Sequence, residues 1–126
     1  MLIVDDEKMF LFFVKKVLEG GGLTVDISDN LKGALKLIGE NDYVVVIADI
    51  RLTGSDGEEG VEILRQVRDV SPRTKVIIIT ADGSQSFRTR AYSSGAYLFF
   101  EKPVPTSLLK GAINGCMEEH DGVVRI

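Results

Sequence analysis

The stretch "VVVIADIRLTG" (residues 44–54) frames the reading of the whole chain. Five consecutive apolar residues, Val44 to Ala48, leave no polar face, the pattern of a strand covered by helices on both sides of a parallel sheet. The run then stops on a carboxylate, Asp49, and burying a lone carboxylate is costly. A neutralising partner for Asp49 has to come from elsewhere in the sequence.

Outward from that strand the same pattern returns. "TKVIIIT" (74–80) is a second buried run, and "MLIVD" (1–5), "LTVDIS" (23–28) and "AYLFFE" (96–101) are strand-like. Helical spacing predicts helices over 7–20, 30–40, 59–69, 84–95 and 105–120. Asn30 is a natural cap for the second, with apolar residues at 31, 34, 35 and 38, while Ser71-Pro72 breaks the third. The helix over 84–95 carries only a weak apolar stripe. In the first helix, Phe10, Phe13, Val14, Val17 and Leu18 are expected to face the core, leaving Met9, Leu11 and Phe12 partly outside it. Five βα units in succession predict an α/β, doubly wound, mainly parallel sheet. One domain is expected over 1–120, with 121–126 as a tail or the start of a linker.

Bulk properties narrow the function classes. The 126 residues carry 44% hydrophobic and 27% charged side chains and a net charge of −4, which disfavours direct nucleic-acid binding by this domain. No apolar run approaches the ~20 residues needed to span a bilayer. The start "MLIVDDE" lacks the basic and cleavable segments of a signal peptide. Cys116 is the single cysteine and His120 the single histidine, so no internal disulfide or zinc-like cluster is available. These features fit a cytoplasmic protein.

In sheets of this kind ligands bind beyond the carboxyl ends of the strands. Strand one ends in Asp5-Asp6, strand three in Asp49 and strand four in Thr80, and strand five leads into Lys102-Pro103. Three aspartates brought to one edge repel one another unless a cation joins them, and a hard, oxygen-seeking ion such as Mg2+ meets that need. Lys102 adds a point charge and Thr80 a hydroxyl that can donate to an anionic oxygen. The set has the chemistry of a phosphoryl site with Asp49 as the attacking carboxylate. Singly, each residue is ordinary: Asp5 or Asp6 would serve as an N-cap for the helix from Glu7, and Lys-Pro would serve as a turn.

With these motifs in hand, "LIVDDE" (2–7), "VVVIADIRL" (44–52), "VIIITA" (76–81) and "GAYLFFEKPV" (95–104), the chain resembles the receiver domain of two-component response regulators, the CheY-like superfamily, over nearly its whole length. The resemblance implies a flavodoxin-like (βα)5 fold with strand order 2-1-3-4-5, which general fold rules already illustrate with a member of this family. It implies Asp49 as phosphoacceptor, Asp6 as a direct Mg2+ ligand, Asp5 acting mostly through water, and the Arg51 backbone carbonyl as a further ligand. Thr80 matches the switch hydroxyl, Phe99 the aromatic switch position three before the lysine, and Lys102 the phosphate-pairing lysine, with a cis bond to Pro103. The implied partners are a histidine kinase or histidine phosphotransfer protein. Met9, Leu11 and Phe12, left outside the stripe of helix one beside the acidic pair, are placed to dock such a partner, with homodimer packing or plain surface residues as the competing account. A homodimer through helix four, strand five and helix five is also implied. The domain is not expected to be an enzyme beyond accepting and losing its own phosphoryl group.

The sequence also departs from the family pattern. Thr53 stands where proline is frequent, and the segment before Gly60 is about three residues longer than usual, with Asp56, Glu58 and Glu59 in it. Arg51 and Asp82, each two positions past a site residue, are expected to flank the mouth of the site and pair across it. The start at the first strand suggests an excised receiver or a stand-alone one. Two rival functions remain: a degenerate receiver that docks without phosphorylation, and a small aspartyl-phosphate phosphatase. "DIRLT" partly echoes the nucleophile motif of the latter class, but Arg51 replaces its second acid.

Overall fold

The computed structural model of the protein describes residues 1–49, 58–81 and 84–120. Strands and helices alternate from end to end. The first half holds β1 (Leu2–Val4), α1 (Lys8–Gly20), β2 (Asp26–Ser28), α2 (Leu31–Glu40) and β3 (Val45–Asp49). The second half holds α3 (Glu58–Val70), β4 (Lys75–Thr80), α4 (Gln85–Ser93), β5 (Leu98–Glu101) and α5 (Thr106–His120). All strand pairs are parallel and the sheet order is β2-β1-β3-β4-β5, the expected flavodoxin-like topology.

Because β3 and β4 are buried along nearly their full length, alternate residues feed two separate cores. Val46, Ala48, Val76, Ile78 and Phe99 pack with Ile63, Leu64 and Ala91 on the α2–α3–α4 side. Val45, Ile47, Ile77 and Ile79 pack with Leu11, Val14, Leu18, Leu109, Ile113 and Cys116 on the α1–α5 side. Register places Asp49 beside Ile79 and Thr80 beside Glu101 at the carboxyl edge.

The structure corrects the reading of helix one. Leu11 is buried and Phe13 is 60% exposed, the reverse of the expected assignment. At about 100° per residue, Leu11 and Phe13 lie about 200° apart, so only one of them can face the sheet. The spacing of Leu11, Val14 and Leu18 sets the inward face, and Phe13 turns outward with Met9 and Phe12. Capping also differs from expectation. Glu7 is the N-cap residue and makes no side-chain capping bond. Asp5 Oδ1 instead accepts the Glu7 amide at 3.0 Å, which braces the turn out of β1 and fixes the Asp5 carboxylate. Asn30 does cap α2, accepting the Gly33 amide at 2.7 Å.

Candidate functional site

The edge where β1, β3 and β4 end gathers the residues singled out by sequence. Each strand terminates abruptly from apolar to polar, so the acids arrive at the rim without entering either core. Asp5 is 2% exposed, Asp49 is 9% exposed, and Asp6 is exposed. Carboxylate oxygens of the three lie within 4.8 Å of one another.

The partner demanded by Asp49 is Lys102. Its Nζ donates to Asp5 Oδ2 at 2.7 Å and to Asp49 Oδ2 at 3.2 Å. The lysine is delivered by the chain just past β5, where its backbone amide donates to the Thr80 carbonyl at 2.7 Å and its bond to Pro103 is cis. Burial works to lower the Lys102 pKa, but the hydrogen bond to Asp5 and the charge of Asp49 outweigh it and hold the ammonium above its ordinary 10.5. Among the described residues, with the carboxylates ionised, three acids and one ammonium leave two negative charges. A single divalent cation balances that charge. Octahedral Mg2+ with bonds near 2.1 Å spans about 4.2 Å between opposite ligands, which fits oxygens grouped this closely. The residues present therefore suit such an ion.

Thr80 is fully buried at the end of β4. Alternation places its side chain on the same sheet face as Ile78, whose neighbour on β5 is Phe99, so the hydroxyl and the ring stand diagonally on one face. Phe99 is 4% exposed, with the Arg88 guanidinium 4.9 Å from its ring centroid and the Tyr92 ring at 6.5 Å. Arg51 and Asp82 lie outside the described residues, as do Thr53 and Asp56.

Three neighbours of the site escaped the sequence reading. Phe10 places its ring 4.8 Å from Lys102 Nζ. Phe13 joins Phe10, Val14, Val17, Val104 and Leu109 around a groove of about 460 Å3 between α1 and the start of α5. Arg88 covers Phe99. Phe10 packs against the α1–α5 core as its place in the apolar stripe predicts, and the same ring reaches Lys102, which the stripe does not reveal.

The fold and pocket define a class, flavodoxin-like α/β domains with an acidic, lysine-bridged pocket at the carboxyl edge of the sheet. The chain belongs to the response regulator receiver domain family, whose model matches residues 1–114. Over 118 residues it is 30% identical to the C4-dicarboxylate transport transcriptional regulatory protein DctD of Pseudomonas aeruginosa, covering 94% of this chain and 25% of that protein. It thus spans about a quarter of the length of such curated relatives. The crystal structure of a CheY-like response regulator receiver domain protein from Methanospirillum hungatei is similar, with a TM-score of 0.88, 27% identity, and 96% and 94% of the two chains covered. The solution structure of the beryllofluoride-activated NtrC4 receiver domain dimer has a TM-score of 0.84 and 32% identity, covering 94% of this chain and 96% of that one. Among the described residues, no helix is long and apolar enough to cross a membrane.

Proposed function

We propose that Asp49 accepts a phosphoryl group from the phosphohistidine of a histidine kinase or histidine phosphotransfer protein. The observation that carries this reading is the Lys102 ammonium bridging Asp5 and Asp49, with Asp6 beside them, at the carboxyl edge of the sheet. An Asp49 carboxylate oxygen attacks phosphorus, the P–N bond breaks with its electrons passing to the imidazole, and that nitrogen takes up a proton from water. Asp49 becomes an aspartyl phosphate, and Lys102 turns from carboxylate to phosphoryl oxygen to offset the added charge. Asp5, Asp6 and Asp49, with the Arg51 carbonyl, would hold Mg2+, which when bound supplies counter-charge to the acids and the phosphoryl oxygens. Water later cleaves the acyl phosphate and regenerates Asp49, with Arg51 and Asp82 slowing its entry.

Phosphorylation adds about −1.5 to −2 charge. In this reading the Thr80 hydroxyl turns toward the new oxygens, and Phe99 moves on the face it shares with Thr80. The α4–β5–α5 surface carries the signal, and pairing of two copies there is supported by the existence of an activated receiver dimer with this fold. The phosphodonor protein docks on the outer face of α1, where Met9, Phe12 and Phe13 are 77%, 55% and 60% exposed; Leu11, buried, drops out of that surface. The chain would act in the cytoplasm as the receiver part of a transcriptional regulator, as supported by the name of DctD.

Incubation with radiolabelled acetyl phosphate and MgCl2 tests the assignment. Stoichiometric labelling of the parent and none of Asp49→Asn is expected. Labelling that persists in Asp49→Asn overturns the acceptor assignment, and a parent that stays unlabelled points to a docking module.

A further inference from the structure

The Lys102 ammonium has a neighbour that the acidic pocket does not account for. Two carboxylates hold it on one side, Asp5 at 2.7 Å and Asp49 at 3.2 Å, and the Phe10 ring centroid lies 4.8 Å from the same nitrogen. Phe10 stands in the first turn of α1, half-buried. Its ring also lines the groove with Val14, Pro103 and Val104, a groove that Lys102 itself borders.

A cation over an aromatic ring is attracted by the ring's quadrupole, and the attraction grows where water is scarce. It differs from a third carboxylate in one respect that matters for phosphoryl chemistry. No directional hydrogen bond has to break when the ammonium shifts across the ring. An aliphatic side chain at this position would keep the wall apolar but lose the attraction. A polar one would bring water to the lysine from the groove side.

We infer that Phe10 is a positioning residue for phosphoryl acceptance. It holds Lys102 Nζ against the acidic pocket and lets the ammonium pass from the carboxylates to an oxygen of the incoming phosphoryl group. Phe10 itself forms no bond to the phosphoryl group. The inference rests on the roles proposed above for Asp49 and Lys102.

The test uses the full chain as the parent, Phe10→Leu, Phe10→Tyr, Lys102→Met and the Phe10→Leu/Lys102→Met double variant. The first measurement is the rate constant of labelling by acetyl phosphate with MgCl2. The second is the proton chemical shift of the Lys102 ε-methylene without phosphodonor, which an overlying ring moves upfield. Phe10→Leu is expected to label about two- to tenfold more slowly and to lose the upfield shift, while Phe10→Tyr keeps both near parent values. In the Lys102→Met background, Phe10→Leu is expected to cost less than twofold. Equal rates for the parent and Phe10→Leu overturn the inference and leave Asp49 as acceptor. So does a loss of the same size with and without the lysine. A Lys102 shift unchanged in Phe10→Leu overturns it even if that variant labels poorly, because poor packing alone would then explain the rate. Failure of the parent to label overturns this inference and the acceptor assignment together.

Discussion

Helices α1 and α4, on opposite sides of the sheet, are held very differently. On one side α1 sinks Leu11, Val14 and Leu18 into the core and α5 sinks Leu109, Ile113 and Cys116 beside them. On the other, α4 buries Ala91 alone, with Phe87 half-buried and Arg88 laid over Phe99. A residue as small as alanine brings little apolar area out of water, so α4 is held far less tightly than α1. The rigid side presents Asp5 and Phe10 to Lys102, where the chemistry needs fixed groups. The loosely held α4 belongs to the surface through which a signal would leave. Segments that move are drawn from the low-stability end of a fold, and here the sequence of α4 puts them there.

The largest expected effect tests that contrast directly. Leu11→Ala should cost about 2–5 kcal/mol in urea unfolding, the range for a fully buried leucine. Phe87→Ala on α4, half-buried, should cost about 1–2 kcal/mol, scaling with its smaller burial. Equal costs would remove the difference between the two sides. Next in size is Arg88→Ala, which deletes the guanidinium over Phe99 and should cost about 0.5–1 kcal/mol. Faster flipping of the Phe99 ring, read by NMR line shape, should accompany it. An unchanged ring would show that Arg88 holds nothing on the α4 side.

The smallest effect lies at the far end of β5, away from the acids. Tyr97 OH donates to Glu119 Oε1 at 2.7 Å, and Lys75 reaches the other oxygen at 3.4 Å, tying α5 to the sheet. The Tyr97 hydrogen bond, aided by Lys75, holds the Glu119 carboxyl below its ordinary 4.5. A depressed carboxylate stabilises the fold above its unfolded pKa and loses that contribution as pH falls through the folded value. The stability difference between the parent and Tyr97→Phe should therefore be constant near neutrality and shrink below about pH 4.5. A difference that persists at pH 2 would place its origin in packing.

The sheet was legible in the sequence because buried parallel strands leave little choice of residue. Val44–Ala48 and Val76–Ile79 can only be interior, and the abrupt change to Asp49 and Thr80 marks the rim. The juxtaposition of Asp5, Asp6, Asp49 and Lys102 follows from topology, since Asp5 and Asp6 come directly after β1, Asp49 ends β3 and Lys102 comes directly after β5. The rotation of α1 was not legible. Met9 to Val14 is an unbroken apolar run, so hydrophobic periodicity carries no phase there, and Leu11 and Phe13 were exchanged. Packing of α1 against the sheet decides between them. The contacts of Phe10 with Lys102 and of Arg88 with Phe99 lay beyond reach for another reason. Each depends on how a side chain from one element meets a residue distant in sequence.

Asp5 and Lys102 meet across 97 positions of chain. During synthesis at about 5–20 residues per second, the first acids leave the ribosome roughly five to twenty seconds before the lysine that pairs with Asp5. A nascent fragment ending before β5 carries Asp5, Asp6 and Asp49 with their mutual repulsion and none of the relief that Lys102 brings. The first relief of that repulsion thus coincides with completion of the sheet, so the last strand to be made brings the counter-charge that the acid after the first strand needs.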